Sequence, residues 1–145
     1  MSFDDHNIQW FPFAGIEGFV VRILDVDLER RTVDFVIKFE RDTRVLVHRH
    51  LALTHTFVLK GDHVIYEPNG LLRESRSVGS YTVSTVTGDI HSEGGGPNGC
   101  TLLYSVRGDD HPMFDVLDDE LKVVSQLGLE EFQQLFAEQA TQSIT

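Results

Sequence analysis

At 145 residues, with 41% hydrophobic and 24% charged side chains, the chain is long enough to bury a core and too apolar to be disordered. No apolar run approaches the ~20 residues that cross a bilayer, and the acidic start Met1-Ser2-Phe3-Asp4-Asp5 leads into no hydrophobic signal-peptide core, so the expectation is a cytoplasmic protein. A formal net charge of −11 sets the surface against nucleic-acid phosphates and anionic membranes and leaves small molecules as partners, while the single cysteine, Cys100, excludes an internal disulfide and any multi-thiolate zinc site.

In chain order, Phe19 to Leu24 reads as a strand that ends in the acidic stretch Asp25-Val26-Asp27. A polar turn at Glu29-Arg30-Arg31 leads to a second strand, Thr32 to Phe39, and then to two more, Arg44 to His50 and Thr54 to Leu59. Lys60-Gly61-Asp62-His63 reads as a hairpin turn into Val64-Ile65-Tyr66, which makes His63 a solvated turn residue. Pro68-Asn69-Gly70 is another turn, Ser80 to Val86 and Thr101 to Val106 are further strands, and Gly94-Gly95-Gly96-Pro97-Asn98-Gly99 reads as a loop, either a hairpin connection or a lid. Cys100 is expected as a small buried hydrophobe and His111 as a loop residue. Leu129, Phe132, Leu135 and Phe136 recur at helical spacing behind Glu130 and Glu131, predicting one amphipathic helix over about Leu129 to Gln139. The expected fold class is therefore all-β, a sandwich or barrel over about residues 15–118 with one C-terminal α-helix, in a single domain spanning 1–145.

Four of the seven histidines, His48, His50, His55 and His63, crowd one short stretch. In a strand, His48 and His50 point to one face and Arg49 to the other, so the two imidazoles either chelate one metal ion or are half-exposed strand histidines that only form hydrogen bonds. Gly88, three residues before His91, lets the backbone turn sharply at a strand start and aim a third imidazole inward. Glu93 reads as an exposed loop carboxylate or, alternatively, as a group that orients an imidazole.

These segments resemble the two motifs of the cupin superfamily. His48, His50 and Gly61 match the first motif, and Gly79, Gly88 and His91 match the second. Arg41-Asp42 and Val86 stand where the motifs carry Gly and Pro, and the usual metal-binding Glu is absent. Counting back from Gly61 puts Thr54 in that position, whereas a register one residue out would make His55 a fourth nitrogen ligand; the glycine-anchored count is the favoured one. The resemblance implies a double-stranded β-helix, or jelly-roll barrel, with a metal held by His48, His50 and His91.

Ile8-Gln9-Trp10-Phe11-Pro12, Phe57-Val58-Leu59-Lys60-Gly61, Gly79-Ser80-Tyr81 and Phe114-Asp115-Val116-Leu117-Asp118 are similar to a narrower branch. That branch comprises the acetylacetone- and dihydroxyacetophenone-cleaving dioxygenases and the cupin domains of ChrR-type anti-sigma factors. It implies Fe(II) on three histidines, O2 and a small enolisable diketone or hydroxyketone as substrates, and cleavage of a carbon–carbon bond beside a carbonyl. The alternative it implies is a zinc-binding sensor module without turnover. Zn, Ni and Mn also sit on histidine nitrogens, no residue is singled out as catalytic, and the apolar Trp10-Phe11-Pro12-Phe13 segment is expected to reach a partner in a homodimer.

Overall fold

The computed structural model describes residues 3–13, 15–84, 88–108 and 112–142. The β-branched and aromatic runs form ten strands: β1 (Phe11–Phe13), β2 (Ile16–Asp27), β3 (Thr32–Phe39), β4 (Val45–His50), β5 (Leu53–Tyr66), β6 (Leu72–Arg76), β7 (Tyr81–Ser84), β8 (Ile90–Arg107), β9 (Phe114–Leu117) and β10 (Val123–Leu127). Among the described residues a single helix, α1 (Leu129–Gln142), follows. His111 and Val86 lie outside the described residues, as does the end of the strand expected over Ser80 to Val86. Among the described residues no helix is long and apolar enough to cross a membrane.

All strand pairs are antiparallel, in the order β1-β2-β3-β8-β4-β9-β10, with β5 pairing β6, β7 and β8. Two long strands bind the sheet together. The second half of β8, Cys100 to Arg107, lies between β3 and β5, and its first half lies between β4 and the far end of β5. The sheet thereby curls around an interior lined by Phe19, Val21, Phe35, Ile37, Leu102 and Tyr104. Cys100 is buried among them as expected, and burial pushes its thiol pKa up.

The bends in β5 and β8 correct two expectations. Lys60 to His63 is not a hairpin turn, because β5 runs straight through it with register shifts on either side of Gly61. Gly61 has a φ of +73°, and a Cβ there would lie 2.1 Å from the Gly99 carbonyl oxygen, so this bend is open only to glycine. Gly94 to Gly99 is neither a loop nor a lid but lies within β8. A Cβ on Gly94 would lie 1.8 Å from the Thr43 carbonyl oxygen, so the glycine marks close backbone approach inside a strand rather than a flexible connection.

Helix α1 closes one end of the barrel. Phe132 is buried with its ring 5.5 Å from that of Phe35, which contributes about 1.5–3 kcal/mol by removing a large apolar side chain from water. Gln139, also buried, accepts a hydrogen bond from the Ile23 N–H at 2.8 Å, beside a bulge in β2. Glu131 returns to the Gly128 N–H at 3.2 Å and so satisfies one donor at the helix start. The Trp10-Phe11-Pro12-Phe13 segment is used within the chain, since β1 pairs with β2 and Phe11 is buried there.

Candidate metal centre

Strand register assembles three histidines. His48 and His50 share one face of β4, and His48 lies directly opposite His91 on β8, so the third imidazole arrives on that face. The candidate ligand atoms of His48, His50 and His91 all lie within 4.8 Å of one another. Arg49 points the other way, where its Nε donates to Asp115 on β9 at 2.7 Å.

A local distortion aims His48. The β4–β8 register shifts between Val45 and His48, and within this bulge Leu46 takes a φ of +60°, a conformation unfavourable for a leucine. The Leu46 carbonyl then accepts a hydrogen bond from His48 Nδ1. A carbonyl oxygen can only accept, so Nδ1 carries the proton and a neutral His48 presents its lone pair on Nε2.

That lone pair faces His50 Nε2 at 3.2 Å and Glu93 Oε2 at 3.1 Å. A nitrogen lone pair and a carboxylate oxygen at that separation repel unless a proton or a cation lies between them. Imidazole nitrogens ~2.1 Å from one ion at tetrahedral or octahedral angles stand roughly 3.0–3.4 Å apart, which the His48–His50 spacing meets. The donor set therefore fits a divalent metal ion.

Burial pushes the His50 pKa down to about 3, helped by the charges of His48 and His91, and likewise pushes His91 down to about 4. Both are thereby held as neutral imidazoles, the form that binds metal. Burial also opposes charge on His48, but the hydrogen bond and negative charge of Glu93 more than offset it and raise its pKa.

Three groups that sequence reasoning read otherwise or passed over complete the centre. Glu93 is not an exposed loop carboxylate; it is 2% exposed, on β8, two residues from His91 and on the same face. His63 is not a solvated turn residue either; it is 2% exposed in β5 and meets Glu93 Oε1 at 2.9 Å. Tyr104, also buried, donates its hydroxyl hydrogen to the same oxygen. Burial raises the Glu93 pKa, but its bonds to His48 and His63 outweigh that and hold it well below the usual carboxylate range. The alternative reading of Glu93, a group that orients an imidazole, matches its contacts with His48 and His63.

Thr54 and His55 part ways. Thr54 is fully buried, its hydroxyl donating to the Ala52 carbonyl at 3.0 Å, whereas His55 bonds the hydroxyl of the exposed Tyr81 on the opposite face of β5. His55 is not among the converging histidines.

Two cavities flank the centre. One, of about 180 Å³, is polar and is lined by His50, His91, Thr56, Ser84 and Arg76 together with Glu93 and Tyr104. The other, of about 60 Å³, is walled by Phe13, Phe19, Phe35, Phe114 and Phe132, and reaches His48, Glu93 and Tyr104 from the opposite side.

No family model and no curated protein matches the chain. Solved structures do. An RmlC-like cupin protein of Ralstonia eutropha superposes with a TM-score of 0.76 at 15% identity, over 95% of this chain and 85% of that one. An acetylacetone dioxygenase of Acinetobacter johnsonii gives 0.68 at 18% identity, over 95% and 90%. The Rhodobacter sphaeroides complex of SigE with the anti-sigma ChrR gives 0.55 at 17% identity, over 68% of this chain and 48% of that one. The chain has the cupin fold, as its two motifs implied.

Proposed function

We propose that this cupin-fold chain is an Fe(II)-dependent dioxygenase that cleaves a carbon–carbon bond in a small β-diketone or hydroxyketone such as acetylacetone. The observation that carries the reading is the convergence of His48, His50 and His91 beside a polar cavity of about 180 Å³. A small enolisable ketone fits that space. Support from likeness comes from the acetylacetone dioxygenase that shares the fold along most of both chains.

His48, His50 and His91 would hold the ion, with His48 fixed in the right tautomer by the Leu46 carbonyl. Bound Fe(II) would supply electrons for oxygen chemistry and a template for the enolised ketone. The chain's own residues do the rest. Arg76 lines the polar cavity with Nε on Glu74 and Nη1 on Thr82, which uses two of a guanidinium's five N–H donors and leaves the others for a ketone or enolate oxygen. The phenylalanine-walled cavity keeps water from the other side of the centre.

The test is anaerobic loading with Fe(II), then oxygen uptake on a panel of β-diketones and hydroxyketones. Uptake dependent on both iron and one member of the panel is expected, and no uptake at full iron occupancy would refute the reading. The likeness to the SigE–ChrR complex favours one rival, a zinc-binding sensor module. Metal analysis of protein purified without added metal separates them, since a sensor would retain zinc that Fe(II) does not displace.

A further inference from the structure

We propose that the phenylalanine-walled cavity admits and holds dioxygen, so that the two substrates of the proposed reaction reach the histidine cluster from opposite sides. This rests on the dioxygenase reading and goes beyond it in giving O2 a site and a route of its own. Leu46, Val116 and Leu127, which line the cavity, are half-buried, whereas Phe35, Phe114 and His48 are buried, so the space leads from the surface inward to the cluster. At its inner end the Phe114 ring stands edge-on to those of His48 and His50, with centroids 6.2 and 5.2 Å away.

The walls select by polarity. A volume of about 60 Å³ exceeds the ~10–15 Å³ that admits one water, but a buried water also needs about two to four hydrogen-bond partners. Phenylalanine, leucine and valine side chains offer none. The carboxylate oxygen at the inner end is already engaged, since Glu93 Oε1 accepts from His63 Nε2 at 2.9 Å and from the Tyr104 hydroxyl. A cavity lined in this way stays dry. A nonpolar molecule loses no hydrogen bonds on entering it and gains dispersion contacts with the rings. Of the two substrates only O2 is nonpolar, because the oxygens of an enolised diketone would be buried there unpaired. The other cavity has the opposite character, about 180 Å³ and carrying Arg76, Thr56 and Ser84. Each substrate thus has a cavity of matching chemistry, and a ketone bound on the polar side leaves the apolar side open to O2.

Xenon, a nonpolar probe of comparable size, tests the site without turnover. Crystals of the metal-free protein under xenon pressure are expected to show an anomalous peak among Phe35, Leu46 and Phe114. Val116 lies opposite His48 in the β4–β9 register, so Val116→Phe projects a ring into the cavity and is expected to abolish that peak. After Fe(II) loading, the same variant is expected to lower kcat/KM for O2 by about 10-fold, with the KM for the ketone and Co(II) affinity by calorimetry unchanged. Should Val116→Phe fail to fold, Leu127→Phe fills the same cavity from β10. No xenon in the wild-type cavity, or unchanged O2 kinetics in a variant that has lost the xenon peak, would overturn the O2 route and leave the proposed function standing. A wild type that consumes no O2 with any ketone would overturn both.

Discussion

The two cavities that meet at Glu93 and Tyr104 are built from the same barrel yet differ in every physical respect. The side toward α1 is small and walled by phenylalanine rings, whereas the side toward β6 and β7 is larger and carries Arg76, Thr56 and Ser84. The difference teaches a division of labour. The apolar side holds the barrel together and keeps water off His48, while the polar side offers space and hydrogen-bond donors next to His50 and His91. The histidine cluster and Glu93 form the partition between them.

Mutations can break the partition or either side separately. His50→Ala removes a proposed ligand and one edge contact on the Phe114 ring, and is expected to abolish Co(II) uptake measured by calorimetry while circular dichroism stays unchanged. Phe132→Ala opens the apolar side beside Phe35 and Phe114, and should cost about 3–5 kcal/mol in urea unfolding with Co(II) affinity little altered in the folded protein. If Co(II) affinity fell in parallel with stability, the two sides would be one unit. Ser84→Phe fills the polar side, and is expected to raise the KM for the proposed diketone substrate by about 10-fold, or ~1.4 kcal/mol, with ion affinity unchanged. His55→Ala should change neither ion affinity nor turnover, because His55 lies on the outer face against Tyr81. A clear loss there would mean that the register of β5 differs from the one described.

Much of this was legible in the sequence where period-2 parity applied. His48, His50 and outward-facing Arg49 follow from alternation within one strand, and counting from Gly61 separated Thr54 from His55 because a bend open only to glycine fixes register. The expected helix ended at Gln139; the structure carries it to Gln142 and buries Gln139 against the Ile23 N–H, a tertiary contact that no hydrophobic stripe announces. His63, and Glu93 in its exposed-loop reading, were misread for a related reason. Each adjoins a glycine-containing stretch whose composition signals a turn or loop, yet in the barrel those glycines let β5 and β8 pass close to Gly99 and Thr43. Close backbone approach and loop flexibility call for the same residue type, and only the fold distinguishes them. Strands β1, β6, β9 and β10 were not identified because their runs are short, and β10 is largely exposed.

The central claim is that one divalent ion sits among His48, His50 and His91. Anomalous diffraction at the iron edge, from crystals grown anaerobically with Fe(II), tests it most directly. One strong peak is expected within about 2.0–2.2 Å of a nitrogen of each of the three imidazoles. A fully soaked crystal with no peak there, or with iron bound only elsewhere on the chain, would contradict it.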